Sequence, residues 1–152
     1  MKKFKFSLDK VLMHRKLQTD LAQKDFIEAQ NNLSKEEAAL ADMIAMKEGA
    51  IKNRYETVQH SQNWSASIEQ INSYLTGQDL RIVNQNKRLL DFIKLVEVKR
   101  EILQEALTAA KILEKLREKK KEEFFREVAK LEQQELDEMS VMRFSRNENL
   151  KS

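Results

Sequence analysis

Residues 80–143 read LRIVNQNKRLLDFIKLVEVKREILQEALTAAKILEKLREKKKEEFFREVAKLEQQELDEMSVMR, and this stretch decides the fold class. It holds no Gly and no Pro, is dense in Leu, Glu, Lys, Gln, Arg and Ala, and places apolar residues at three- and four-residue steps, the period of a helix. Alternating steps of four and three from Ile82 pass through Asn86, Leu89, Ile93, Val96, Arg100, Leu103, Leu107, Ala110, Glu114, Arg117, Lys121, Phe124, Val128 and Leu131. So narrow a stripe is a coiled-coil seam. One helix over this stretch would be about 95 Å long and has no means of burying its stripe on itself, so a partner helix is required.

The partner lies earlier in the same chain. From Leu8 the same walk passes through Leu12, Arg15, Thr19, Ala22, Phe26, Ala29, Leu33, Glu36, Leu40 and Met43, then drifts to Ile44, Ile51, Tyr55 and Val58. Ser7 is a candidate cap, so the first helix is expected over about residues 7–58, with Gly49 inside it at a cost of roughly 1 kcal/mol relative to Ala. The polar run QHSQNWSA, residues 59–66, lacks an apolar period and reads as a turn. Ile68, Ile71, Tyr74 and Leu75 predict a short amphipathic helix that Thr76-Gly77 ends, and Asp79 then caps a second helix over residues 79–143. Residues 59–78 thus form the turn and short helix, and 144–152 a frayed end. The predicted fold is all-α, a single elongated antiparallel two-helix coiled-coil hairpin with a short helix near the turn.

In such a hairpin, facing seam positions have residue numbers with a constant sum, and sums differing by seven keep both stripes. A sum of about 136 faces Leu8 with Val128, Leu12 with Phe124, Phe26 with Ala110, Leu33 with Leu103, Leu40 with Val96 and Met43 with Ile93, and sets Glu36 against Arg100. About 129 would put Leu8 on Lys121, and about 143 would put Phe26 on Arg117, so 136 is the expected register. Its seam core is Leu12, Phe26, Leu33, Leu40, Ile93, Val96, Leu103, Leu107, Phe124 and Val128. Residues 129–143 then run past Leu8 with Phe4 and Phe6 to cover them. Leu131, Leu136, Met139, Met142 and Phe144 among Glu132, Glu135, Asp137 and Glu138 make that overhang a docking candidate.

The composition agrees with extended helices. Of 152 residues, 35% are charged and 7% aromatic, a poor recipe for a compact core. The absence of Cys fits a reducing cytoplasm. Met1-Lys2-Lys3 looks like the start of a signal peptide, but Lys5, Asp9 and Lys10 interrupt the apolar run, and no segment approaches the about 20 apolar residues of a membrane span. Nothing assembles a catalytic site. His14 and His60 are far apart and belong to no metal-ligand spacing, Glu132 and Glu135 read as helix-surface charge, and no Gly-rich phosphate loop occurs. The expectation is no enzyme activity, no cofactor and no metal. Lys119, Lys120 and Lys121 are flanked by Glu118, Glu122 and Glu123 at ion-pair spacing, a solvated helix face. Trp64 in the turn is expected to pack onto Ile68 or Ile71.

Three blocks resemble the flagellar export protein family FliJ, the coiled-coil component of the flagellar type III secretion ATPase complex. They are FKFSLDKVLMHRK at residues 4–16, SIEQINSYL at 67–75 and LEQQELDEMSVMRF at 131–144. The resemblance implies a cytoplasmic protein peripheral to the membrane-bound export apparatus, acting as a stalk and adaptor with bacterial flagellum biogenesis and motility as its setting. It implies three partners: a hexameric export ATPase, an export-gate membrane protein and export chaperones. By position, Phe4, Phe6, Leu8, Glu135, Asp137, Glu138 and Arg143 match the tip that enters the ATPase ring, and Ile71, Tyr74 and Leu75 match the gate contact. Gln78 stands where a further apolar residue of that contact is expected.

The alternative is a general coiled-coil tether or a chaperone for export cargo, using the same apolar overhang. Nucleic-acid binding is not expected. With a net charge of +3 and its lysines compensated, the protein should give no gel shift with duplex or single-stranded DNA even at low salt.

Overall fold

The structure is a computed structural model that describes residues 2–60 and 62–151. It consists of two helices, α1 over Asp9–His60 and α2 over Trp64–Asn149, packed as a hairpin, with no strand among the described residues. The fold is therefore the all-α hairpin that the two periodic stripes call for, with α2 running on to Asn149 in place of the frayed end expected from 144, and its details differ in two further ways.

The first difference is at the turn. α2 begins at Trp64, so the expected short helix is simply its first turns, and the side chain of Trp64 lies outside the described residues. Gly77 is passed in a helical conformation, with no positive φ. Its neighbours explain why: Leu75 and Gln78 are both buried, and packing against α1 outweighs the roughly 1 kcal/mol that Gly costs. Asp79 caps nothing; inside α2, its carboxylate meets Lys47 Nζ at 2.7 Å. At the other end α1 starts at Asp9, two residues after the proposed Ser7 cap, with that carboxylate favouring the positive helix end.

The second difference is the register. Contacts divide the chain into two compact units, one spanning Asp20–Glu105 and the other joining the termini up to Thr19 and from Ala106. In the first unit Glu36 pairs with Arg88 at 3.2 Å, Asp25 with Lys99 at 3.9 Å, and Arg54 donates to Asn72 at 3.0 Å. In the second, Lys16 pairs with Glu114 and Asp9 with Arg117, both at 3.4 Å. The numbers of these partners add to roughly 125, not 136. Glu36 thus meets Arg88, while Arg100, its expected partner, pairs within its own helix with Glu97.

The turn explains this. With α1 running to His60 and α2 starting at Trp64, the hairpin centres near residue 62, which forces facing numbers to add to about 125. The expected sum required a 20-residue cap that the helix-favouring sequence does not make. On α2 the buried and half-buried set is Leu75, Gln78, Ile82, Gln85, Leu89, Phe92, Val96, Lys99 and Leu103, one residue out of phase at every second position from the expected walk. Ile93 and Leu107, expected in the seam, are therefore each 49% exposed. Leu12 and Val96 are buried, and Phe26, Leu33, Leu40, Leu103, Phe124 and Val128 half-buried. Leu33 lies level with Phe92 rather than Leu103. On α1 the strict alternation continues through Lys47, Ala50, Arg54 and Thr57 without drift, and Ile44, Ile51, Tyr55 and Val58 face outward.

Two glutamines clamp this register. Gln78 Nε2 donates to the carbonyl of Met43 at 2.9 Å, and Gln85 Nε2 donates to the carbonyl of Glu36 at 3.0 Å and to its carboxylate at 2.7 Å. The two clamps are one heptad apart on each helix, and Gln78 is only 2% exposed. Such bonds contribute about 0.5–1.5 kcal/mol each, more for the charged acceptor, against roughly 0–1 kcal/mol for each exposed ion pair.

Gln85→Ala should lower stability by about 1–3 kcal/mol in urea unfolding, because it removes both bonds and leaves a gap at the interface. Gly77→Ala and Gly49→Ala should each raise it by about 0.5–1 kcal/mol, since both positions are helical and an added Cβ meets nothing within 4 Å.

Candidate docking surfaces

Two stretches expected to bind partners can be placed on this frame. At the tip, residues 3–7 form a non-helical arm beside α2, near Lys120, Glu123, Phe124 and Glu127. Phe6 is buried, and Phe4 sits 5.7 Å from Phe124 in a tilted pair, with Phe125 edge-on to Phe124 at 5.5 Å. This alternation of aromatic and Lys residues lets the rings face α2 while Lys3 and Lys5 stay in water. Leu8 is partly exposed beside the start of α1.

The arm does not reach the acidic part of the expected tip. Glu135 follows Phe124 by eleven residues, about 16 Å along α2. Every residue from 129 to 151 is exposed, Glu135, Asp137, Glu138 and Arg143 among them. Asp137 accepts a hydrogen bond from Gln133 Nε2 at 3.0 Å, a contact within the same helix. The tip residues thus separate: Phe4 and Phe6 anchor the arm, Leu8 stands partly exposed beside it, and the charged four project on a helix that no other described residue covers.

Near the turn, the four residues of the expected gate contact are divided by the register. Leu75 and Gln78 are buried against α1 and Ile71 is half-buried, whereas Tyr74 is 38% exposed. Gln78 also accepts from Arg81 at 3.0 Å, so both ends of its amide are engaged inside the hairpin. Tyr74 is the member of the set presented to solvent.

A further surface there escaped the sequence reading. Ile51, Tyr55, Val58 and Ile68 line an open groove with Arg54 and Asn72. The signal for it was the drift to Ile44, Ile51, Tyr55 and Val58, which marks an outward apolar stripe once Lys47, Ala50, Arg54 and Thr57 occupy the seam. Among the described residues, no group of three or more His, Cys, Asp and Glu side chains is placed to hold a metal ion, and no helix is long and apolar enough to cross a membrane.

A family model described as the flagellar FliJ protein matches residues 4–149, which takes in the arm, both helices and the exposed tail. Among solved structures, the chain is similar to a YscO homologue from Chlamydia trachomatis, with a TM-score of 0.73 and 18% identity over 97% of this chain and 99% of that one. That likeness shows the shared fold. No curated protein matches the chain significantly.

Because an isolated helix of about twenty residues is marginal in water, tail amides beyond Leu131 should exchange with solvent at least about 100-fold faster than those of Leu75–Ala110 in native-state hydrogen exchange. Phe6→Ala should speed exchange around Phe124 and leave Leu75–Val96 unchanged, because it removes only the anchor of the arm.

Proposed function

The chain belongs to the flagellar FliJ protein family of type III export components, and on that footing we propose that it is a non-enzymatic stalk and adaptor whose exposed tail docks into the ring of the export ATPase. The observation that carries this reading is the tail itself: residues 129–151 continue α2 past the arm with every side chain exposed. A projecting helix of this kind has a shape that can enter a ring lumen. Its charged positions, Glu135, Asp137, Glu138 and Arg143, offer weak polar contacts that allow several registers in the lumen. Binding the assembled ring in preference to its subunits promotes assembly by mass action and needs no catalytic group in the stalk. Near the turn, Tyr74 and the adjoining exposed surface are assigned to the export gate and to export chaperones, with the protein held peripherally at the cytoplasmic face.

A second reading has its own support. The apolar groove of Ile51, Tyr55, Val58 and Ile68 is suited to an amphipathic helix of export cargo. Capture from extract separates the readings: a stalk brings down the ATPase and gate protein, a cargo chaperone brings down exported subunits.

Adding the protein to its export ATPase should stimulate ATP hydrolysis several-fold, and deleting residues 129–152 should abolish the stimulation while leaving the helix content of the remaining hairpin intact. Full stimulation by the truncated chain would overturn the assignment of the tail. Tyr74→Ala should weaken gate binding without changing ATPase stimulation.

A further inference from the structure

The exposed tail is complementary to a second copy of itself. Along α2 beyond the arm, Val128, Leu131, Glu135, Met139, Met142, Arg146 and Leu150 follow one another at steps of three, four and four, an eleven-residue repeat. Such a repeat runs nearly straight along a helix and lies on one face. Leu131, Met139, Met142 and Leu150 are all at least half exposed, and Val128 is the last residue of the stripe with cover from the rest of the chain. Among the described residues no ion pair involves Glu135 or Arg146.

Two copies of this stripe laid antiparallel about a two-fold axis between Ser140 and Val141 bring Leu131 level with Leu150, Glu135 with Arg146, and Met139 with Met142, each twice by symmetry. The only acid and the only base on the stripe then face each other, and every apolar residue of the stripe from Leu131 to Leu150 faces an apolar one. A parallel arrangement would instead stack Glu135 on Glu135 and Arg146 on Arg146, which like-charge repulsion disfavours. We infer that the free protein forms a weak antiparallel dimer through residues 131–150, with a second copy of this chain as the occupant of the tail. The interface is small, so the association is of micromolar strength or weaker, on the order of tens of micromolar. The dimer covers Glu135, one of the four charged positions assigned above to the ATPase ring, so on that reading self-association and docking compete for that residue.

Sedimentation equilibrium of the full chain, alone and without ATPase, tests the inference. The weight-average mass should rise from 17.9 kDa toward twice that value between about 5 and 500 µM. Glu135→Arg should weaken the dimer about tenfold or more, since a guanidinium at that position then faces the guanidinium of Arg146, and Arg146→Glu should do the same by setting two carboxylates together. The double variant Glu135→Arg with Arg146→Glu should recover the wild-type mass profile, because each pair is restored with its signs exchanged. Only antiparallel pairing predicts that recovery. A mass that stays at the monomer value throughout overturns the dimer, single variants that dimerise like the parent overturn the tail as its site, and a double variant that stays monomeric overturns the antiparallel pairing. None of these results bears on ATPase stimulation, so the docking reading stands or falls separately.

Discussion

Gln78 and Gln85 each donate a hydrogen bond from α2 to a main-chain carbonyl of α1, at Met43 and Glu36. Among the described residues these two glutamines are the buried polar side chains, and they constrain how the helices of the Asp20–Glu105 unit meet. Apolar side chains in a two-helix seam tolerate sliding by a heptad, because Leu packs on Ala or Met almost as well as on Val. The Gln85 amide is more selective, because besides a main-chain carbonyl, which recurs at every heptad, it meets the carboxylate of Glu36, which does not. The interface is otherwise thin: small buried residues such as Ala22, Ala29 and Ala110 bring the helices together, and no large described side chain is fully buried. In such a seam, the Gln85–Glu36 side-chain bond carries register information that the small apolar residues do not.

That register decides which surfaces are free. With Lys47, Ala50, Arg54 and Thr57 in the seam, the apolar residues Ile44, Ile51, Tyr55 and Val58 turn outward, and the last three build a groove beside the turn. With Leu75 and Gln78 committed to the hairpin, Tyr74 is what remains of the expected contact for a partner there. At the termini, the aromatic arm anchors on Phe124 and stops short of Glu135, which leaves the tail as a lone helix. On the function proposed above, such a tail would engage the ATPase ring through contacts weak enough to be remade.

Much of this was legible from residues alone. The Pro-free stretch, the three- and four-residue steps and the polar run near residue 60 identify two long helices joined by a turn, since helix period and turn chemistry are local properties. Phe4, Phe6 and the charged residues from Glu135 to Arg143 are singled out by the resemblance of their blocks to the FliJ family, and the overhang by the length of the seam. The register was less legible. Asn86, Ile93 and Arg100 match Gln85, Phe92 and Lys99 in polarity position by position, so a hydrophobic walk has no ground for choosing between the two sets. Nor can it foresee that a glutamine belongs inside.

The sequence by itself determined that this chain is all-helical, that it pairs with itself, and that its C-terminal stretch is both apolar and acidic. Only the tertiary structure decided that α2 begins at Trp64 and runs through Gly77, that facing residue numbers add to about 125, and that Ile93 and Leu107 lie outside the seam. The reason is that helix formation is set within a few residues, whereas register is set by the turn and by bonds such as Gln85 to Glu36, whose partners lie 49 residues apart.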